Sequence, residues 1–272
     1  MAALLVASRI RGLFMLENAK MEHPQVEINK HSRRRLITGG IVALAGVPLG
    51  VASAHGLRAV TNGLRISDYI HNHAMRKLQI GAGGAKGFSD WLNTDIEPQA
   101  GEAYLDATKP FPIPDGVLTY VISEHVFEHL SYRDGLAMLR ESYRTLKPGG
   151  KIRIATPNLL KLVRLFQDSK TDEMRNYING KLKADYWQET LPQTVSPECV
   201  ILNYELKSWG HQFVYDPQTL RESLERTGFQ AINEFAPGES DDPQLTGLEV
   251  RHKKSNHAIN DYETMVFQAV RT

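Results

Sequence analysis

At 272 residues, 42% apolar and 23% charged, the chain suits one globular domain with a sizeable core plus some extra length. Its 32 basic and 31 acidic side chains leave a net charge near +1, so no global field points to nucleic acid or an acidic polymer, and a small-molecule partner is expected. Cys199 is the single cysteine, which excludes an internal disulfide framework and a thiolate zinc cluster within the chain.

Residues 1–31 lack a sustained apolar period and read as a polar, basic amino-terminal region. Arg33, Arg34 and Arg35 then precede an uncharged, Gly- and Ala-rich stretch, residues 36–54, that ends in the small residues Ala52, Ser53 and Ala54. Ser32–Ile37 is similar to a twin-arginine export motif, so residues 32–55 are expected to be an export signal or a membrane-associating segment. A buried Gly/Ala-rich helix, or translation that starts further downstream, is the bland alternative.

Residues 56–75, which hold Asn62 and Gly63, read as a polar linker to a domain spanning 76–272. There, β-like runs at Lys77–Ile80, Trp91–Thr94, Ala103–Leu105, Val117–Ser123 and Lys151–Thr156 alternate with helical patterns. Leu136, Leu139, Tyr143 and Leu146 recur at helical spacing, and Lys147-Pro148-Gly149-Gly150 is expected to turn the chain after them. Residues 157–215 are less regular and carry Tyr177, Tyr186, Trp187, Tyr204 and Trp209; they read as an insertion that covers the site. Asp216 is expected to cap a helix that has Pro217 at its first position and Gly228 past its end. Strands at Phe229–Phe235 and Thr264–Val270 would finish the sheet. Alternating strands and helices predict an α/β fold with a mostly parallel sheet, whose ligands sit at the carboxyl ends of the strands.

Gly81, Gly83, Gly84 and Gly87 follow the first strand and would let backbone approach a ligand that a side chain would repel. Lys86 stands where a dinucleotide fingerprint needs its third glycine, and no P-loop pattern is present. A tight strand-to-helix turn with no ligand is the simpler alternative. Asp95 and Asp106, however, close the second and third strands, so glycines and two carboxylates line one rim. Such a rim suits a nucleoside, whose ribose hydroxyls and adenine amino group are donors to carboxylates.

"LQIGAGG", "LNTDI", "YLDATKPFPIPDGVLTYVISEHVFEHL" and "LRESYRTLKPGGKIRIATPNL" together resemble the ordered motifs of class I S-adenosylmethionine-dependent methyltransferases, over roughly residues 76–160. The resemblance implies a Rossmann-like, seven-stranded, mostly parallel sheet with helices on both faces, and S-adenosyl-L-methionine as cofactor. It assigns Gly81 and Gly83 to the methionine and ribose part, Asp95 to the ribose hydroxyls and Asp106 to the adenine side, and Ser123, just past the fourth strand where this fold brings the acceptor to the methyl group, is a further cofactor-binding candidate. Gly210-His211, Tyr215-Asp216, "LRESLERTGF" and "LTGLEVRHK" are similar to a type 11-like subgroup met in bacterial surface-polysaccharide contexts. Ala82 and Thr119 depart from that pattern without removing an implied cofactor contact.

Methyl transfer from a sulfonium requires no metal, and His71-Asn72-His73 matches a metal pair only in spacing, so no metal site is expected. An oxygen acceptor needs a proton sink, and His125 and His211 are the candidate acceptor-side catalytic residues. Glu128-His129 is expected to cap and pack the following helix, and Tyr186, Trp187 and Trp209 could form a stacking wall. The expected function is methylation of a small molecule or a glycan hydroxyl; a non-catalytic cofactor-binding or regulatory protein is the alternative, and no nucleic-acid partner is expected. Because the cofactor is made in the cytoplasm, an enzyme facing the cytoplasm, soluble or tethered, is favoured over export through the arginine-rich signal.

Overall fold

The computed structural model describes residues 54–83, 87–184, 189–249 and 257–272. Residues 1–53, Gly84, Lys86, Tyr186 and Trp187 lie outside the described residues, and with them the proposed signal and part of the stacking wall.

Seven strands form one sheet in the order β3-β2-β1-β4-β5-β7-β6: β1 (Lys77–Ile80), β2 (Leu92–Asp95), β3 (Ala103–Tyr104), β4 (Leu118–Glu124), β5 (Leu146–Pro157), β6 (Gln230–Phe235) and β7 (Thr264–Val270). The pairs β1–β2, β1–β4, β2–β3 and β4–β5 are parallel, whereas β7 runs antiparallel to both β5 and β6. The expected mostly parallel, seven-stranded Rossmann-like sheet is therefore present. Strand order reverses between β1 and β4, the place where an open α/β sheet leaves a crevice for a ligand.

The central strands are covered on both faces: Leu78, Ile80, Val121, Ile122, Ile152 and Ile154 are all buried, and so are the intervening Gln79 and Arg153. Residues 56–75, read as a linker, differ from that expectation. Ala54–Asn72 is a helix, α1, and Ile66 and Tyr69 on it join the same core. Tyr69 Oη donates to the carbonyls of Lys77 and Asp90 at 3.0 and 2.9 Å, so this helix is fastened to the start of β1.

After β4 comes a short 3-10 turn (Phe127–His129) and then α2 (Tyr132–Thr145), capped by Ser131, whose hydroxyl accepts from the Asp134 N–H. Its inward face is Gly135, Met138, Leu139, Ser142 and Thr145, rotated slightly from the Leu136–Tyr143 stripe expected from spacing. Lys147-Pro148-Gly149-Gly150 does not turn the chain away but lies within β5. Its surplus length is absorbed where Leu118 pairs with Leu146 and Tyr120 next pairs with Lys151, and Gly149 takes φ +78°.

The 157–215 stretch is helical: α3 (Leu159–Arg164), α4 (Asp172–Ala184) and α5 (Pro197–Lys207). With α7 (His257–Glu263) these helices enclose a second apolar cluster of Leu162, Leu165, Met174, Tyr177, Ile178, Ile201, Ile259 and Tyr262. Between them in sequence, α6 (Pro217–Arg226) begins as expected, the Asp216 carboxylate accepting from the Thr219 N–H at 2.9 Å, and Gly228 follows it at φ +101°. Among the described residues no helix is long and apolar enough to cross a membrane.

Candidate functional site

The first half of the site is the rim formed by the ends of β1, β2 and β3. Gly81 and Gly83 leave β1 with φ of +76° and +62°. This left-handed path aims the Gly83 N–H at the Asp95 carboxylate, which accepts it at 2.8 Å on Oδ2 and the Glu97 N–H at 2.9 Å on Oδ1. The Ala82 N–H donates to the Thr94 carbonyl at 2.8 Å, so the turn is sewn to the end of β2. Asp95 is half-buried, and each of its oxygens keeps a lone pair for a further donor.

One strand further along, Asp106 Oδ1 accepts from the Thr108 N–H and hydroxyl at 2.9 and 2.7 Å, closing a turn just beyond β3. Ile96, which the sequence reading passed over, is 60% exposed beside Asp95, an apolar surface at a polar rim. Ser123 sits opposite Ile80 in the β1–β4 register; its hydroxyl is buried and has no hydrogen-bond partner among the described residues. An orphaned buried hydroxyl, a carboxylate fixed by backbone and a turn that excludes side chains together fit a nucleoside cofactor at this crevice.

The second half begins two residues after Ser123. His125 takes φ +49°, a conformation uncommon for a residue with a Cβ. Its Nδ1 lies 3.1 Å from Glu128 Oε1 and its Nε2 3.3 Å from the Thr264 hydroxyl on β7. Burial works against the imidazolium, yet the hydrogen bond and charge of Glu128, aided by Glu263 and Glu124, raise His125 to about 9. Burial likewise works to raise Glu128, and the same partner outweighs it, holding that carboxyl below its ordinary range. The Thr156 hydroxyl donates to Glu128 Oε2 at 3.0 Å.

His211 reaches this cluster from the far side of the 157–215 stretch. The Gln212 and Phe213 N–H groups both donate to the Glu128 carbonyl at 2.8 and 3.1 Å, and the Gln212 side chain donates to the His129 carbonyl at 2.7 Å. The rings of His129 and His211 meet edge to face, 4.7 Å between centroids. His211 Nδ1 donates to the Glu205 carbonyl, which leaves the lone pair on Nε2. Burial, more than any neighbour, lowers its pKa. Nearby, Lys181 bridges Glu205 and Glu263, and Tyr177 donates to Glu263 at 2.8 Å. Trp209, 55% exposed at φ +53°, packs against Tyr204 and His211.

The two halves adjoin at Gly81, where an added Cβ would collide with the Val126 side chain. Gly81, Gly83 and Asp95 come together as expected from sequence, Ser123 stands against the end of β1, and Asp106 lies one strand outward. Glu263 and Thr264 escaped the sequence reading as neighbours of His125, and Thr156 as a partner of Glu128, because these contacts span up to 139 positions and no local pattern encodes them. His71 and His73 each turn Nδ1 to a backbone carbonyl of their own helix region rather than to each other.

A family model described as a methyltransferase domain matches residues 59–234. Among solved structures the chain is similar to an S-adenosylmethionine-dependent methyltransferase from Archaeoglobus fulgidus at 18% identity, covering 80% of this chain and 96% of that one with a TM-score of 0.41. A methyltransferase from Thermotoga maritima gives 14% identity, 79% and 92% coverage and a TM-score of 0.42. Phosphoethanolamine N-methyltransferase 2 of Haemonchus contortus, bound to S-adenosylhomocysteine and its phosphobase, gives 15% identity and a TM-score of 0.37, with 78% of this chain matching 52% of that one. No curated protein sequence matches the chain.

Proposed function

The chain belongs to the methyltransferase-domain family and is an S-adenosylmethionine-dependent methyltransferase, and from that premise we propose that it methylates a hydroxyl of a small molecule or glycan. The observation that carries this reading is the junction at Gly81 and Val126, which sets a nucleoside-binding rim against a histidine cluster. Gly81, Gly83, Asp95, Asp106 and Ser123 would hold the cofactor. Asp95 accepts from the ribose hydroxyls, Asp106 faces the adenine side with Ile96 as its apolar floor, and the Ser123 hydroxyl gains the partner it lacks among the described residues.

The bound cofactor supplies a methyl group on a sulfonium, and its transfer leaves a neutral thioether. The chain's own part is to hold acceptor oxygen and methyl carbon in line, which contributes on the order of 7–11 kcal/mol, and to receive the hydroxyl proton, worth about 10²–10⁴-fold. His211 is the proposed proton acceptor, because its tautomer is set by the Glu205 carbonyl and Nε2 keeps its lone pair. His125 has both nitrogens engaged and is held as an imidazolium, which suits it to fixing Glu128 and the acceptor side rather than to taking a proton. Trp209 offers a stacking face that favours a sugar ring.

Isothermal titration with S-adenosylmethionine and S-adenosylhomocysteine release over a panel of sugar and small-molecule hydroxyls test the reading. Asp95→Ala removes a charged acceptor worth about 1.5–3 kcal/mol, so affinity should fall about tenfold or more. His211→Ala should lower turnover with cofactor affinity intact. A wild-type chain that binds the cofactor and methylates no hydroxyl in the panel would favour the regulatory reading instead.

A further inference from the structure

We propose that Glu128, His129 and His211 form a binding site for a divalent transition-metal cation of the zinc type. One ligand atom from each of the three lies within 4.8 Å of the other two. Two imidazoles and one carboxylate are a donor set that zinc takes in sites keeping an open coordination position. Bonds of about 2.0–2.2 Å in tetrahedral geometry need donors about 3.4 Å apart, so the gap closes by modest rotation of His129 and His211, both half-buried rather than locked in the core.

Three features suit the cluster to a cation beyond its composition. The ligand-bearing segments are stapled by backbone, through the Gln212 and Phe213 N–H groups on the Glu128 carbonyl and the Gln212 side chain on the His129 carbonyl. His211 Nδ1 donates to the Glu205 carbonyl, the outer hydrogen bond that commonly orients a metal-binding imidazole and leaves Nε2 outward. Glu128 is itself oriented by Thr156 and His125, one donor on each oxygen, with a second lone pair left on both.

The site rests on the reading of His211 as an acceptor-side residue and changes what that residue does. With the ion bound, the Nε2 lone pair goes to the metal, and the open position takes the acceptor hydroxyl. The metal lowers the hydroxyl's pKa, its proton leaves to bulk water, the oxygen bonds to the methyl carbon, and the carbon–sulfur bond breaks with its electron pair returning to sulfur.

The test uses the full chain stripped with a chelator and titrated with Zn²⁺ by calorimetry, alongside imidazole ¹⁵N spectra of the wild type. One ion per chain is expected, with ring signals of His129 and His211 shifted on binding. His129→Ala and His211→Ala should each weaken affinity by more than the 10–100-fold typical of an outer-shell change, and His73→Ala should leave it unchanged. Absence of stoichiometric binding, unshifted His129 and His211 rings, or wild-type affinity in both ligand variants overturns the site, and the ring spectra decide even if a variant fails to fold. Chelation separates this proposal from the functional one. If the stripped enzyme releases S-adenosylhomocysteine at full rate, the metal role falls and hydroxyl methylation stands; if cofactor and acceptor fail with metal present, hydroxyl methylation falls while the calorimetry still judges the ion.

Discussion

Gly81 carries two demands that a sequence cannot separate. Its φ of +76° lies where a side chain strains the backbone, and an added Cβ would strike Val126. A bulky residue at 81 would therefore damage packing against the 3-10 turn as well as intrude on the cofactor. Gly81→Ala should cost both stability and S-adenosylmethionine affinity, with a melting temperature a few degrees lower, as about 1–2 kcal/mol of left-handed strain implies. Adding Val126→Ala makes room for the new methyl group. If the collision is the main fault, the double variant recovers much of the stability that Gly81→Ala loses while cofactor affinity stays low. Recovery of both in parallel, measured by thermal melts and calorimetry, would show that Gly81 serves packing alone. The glycine was legible as a turn, but its contact with Val126, far along the chain, was not.

Element boundaries were legible wherever local chemistry sets them. The β1 and β7 limits, the Asp216 cap and the Gly228 stop agree with the expectation because apolar runs, a capping carboxylate and a left-handed glycine act within a few residues. Lys147–Gly150 misled because a Pro-Gly-Gly run normally turns, whereas here it bulges within β5 between the Leu146 and Lys151 pairs to β4 and is tied to Arg271, whose carbonyl accepts the Gly149 N–H and whose N–H donates to the Gly150 carbonyl. Long-range pins were invisible for the same reason. Arg144 on α2 grips Glu141 through Nε and NH2 at 3.0 and 2.5 Å and also donates to the Phe111 and Ile113 carbonyls at 3.1 and 3.0 Å. Glu141 in turn accepts the Phe111 N–H at 2.7 Å, so the pair fastens the segment that follows Asp106. The hydrogen bond from Arg144 is the main cause holding the Glu141 carboxyl below its ordinary 4.5. A depressed carboxyl pKa contributes stability above its unfolded value and loses it as pH falls through the folded one. Glu141→Gln should therefore melt lower than wild type at neutral pH, by on the order of 1 kcal/mol after allowing for solvent screening, or about 2–4 °C. The gap should close below pH 4.5. A gap that stays constant from neutral to acid pH would mean that shape, and not charge, does the fastening.

For the whole molecule, two physical demands meet. The family assignment ties activity to a cofactor made in the cytoplasm, while Arg33, Arg34 and Arg35 before the uncharged residues 36–54 favour a segment whose amino end stays inside and whose continuation passes outward. Residues 1–53 lie outside the described structure, so the conflict is settled by where the protein is found. Twin-arginine export moves folded domains, and a domain folded around its cofactor could cross holding one molecule but could not be resupplied outside. Catalysis beyond the membrane would stop after a single turnover. We therefore expect the working enzyme to face the cytoplasm, either soluble or held at the inner surface by residues 36–54. Fractionation of the native cells, with amino-terminal sequencing of the recovered protein, decides it. Chains retained inside with residues 36–54 intact support the tethered enzyme, and deleting those residues should then release it from the membrane fraction with its turnover unchanged. Chains beginning at His55 and recovered outside would overturn it and leave a cofactor-binding fold in a non-catalytic role.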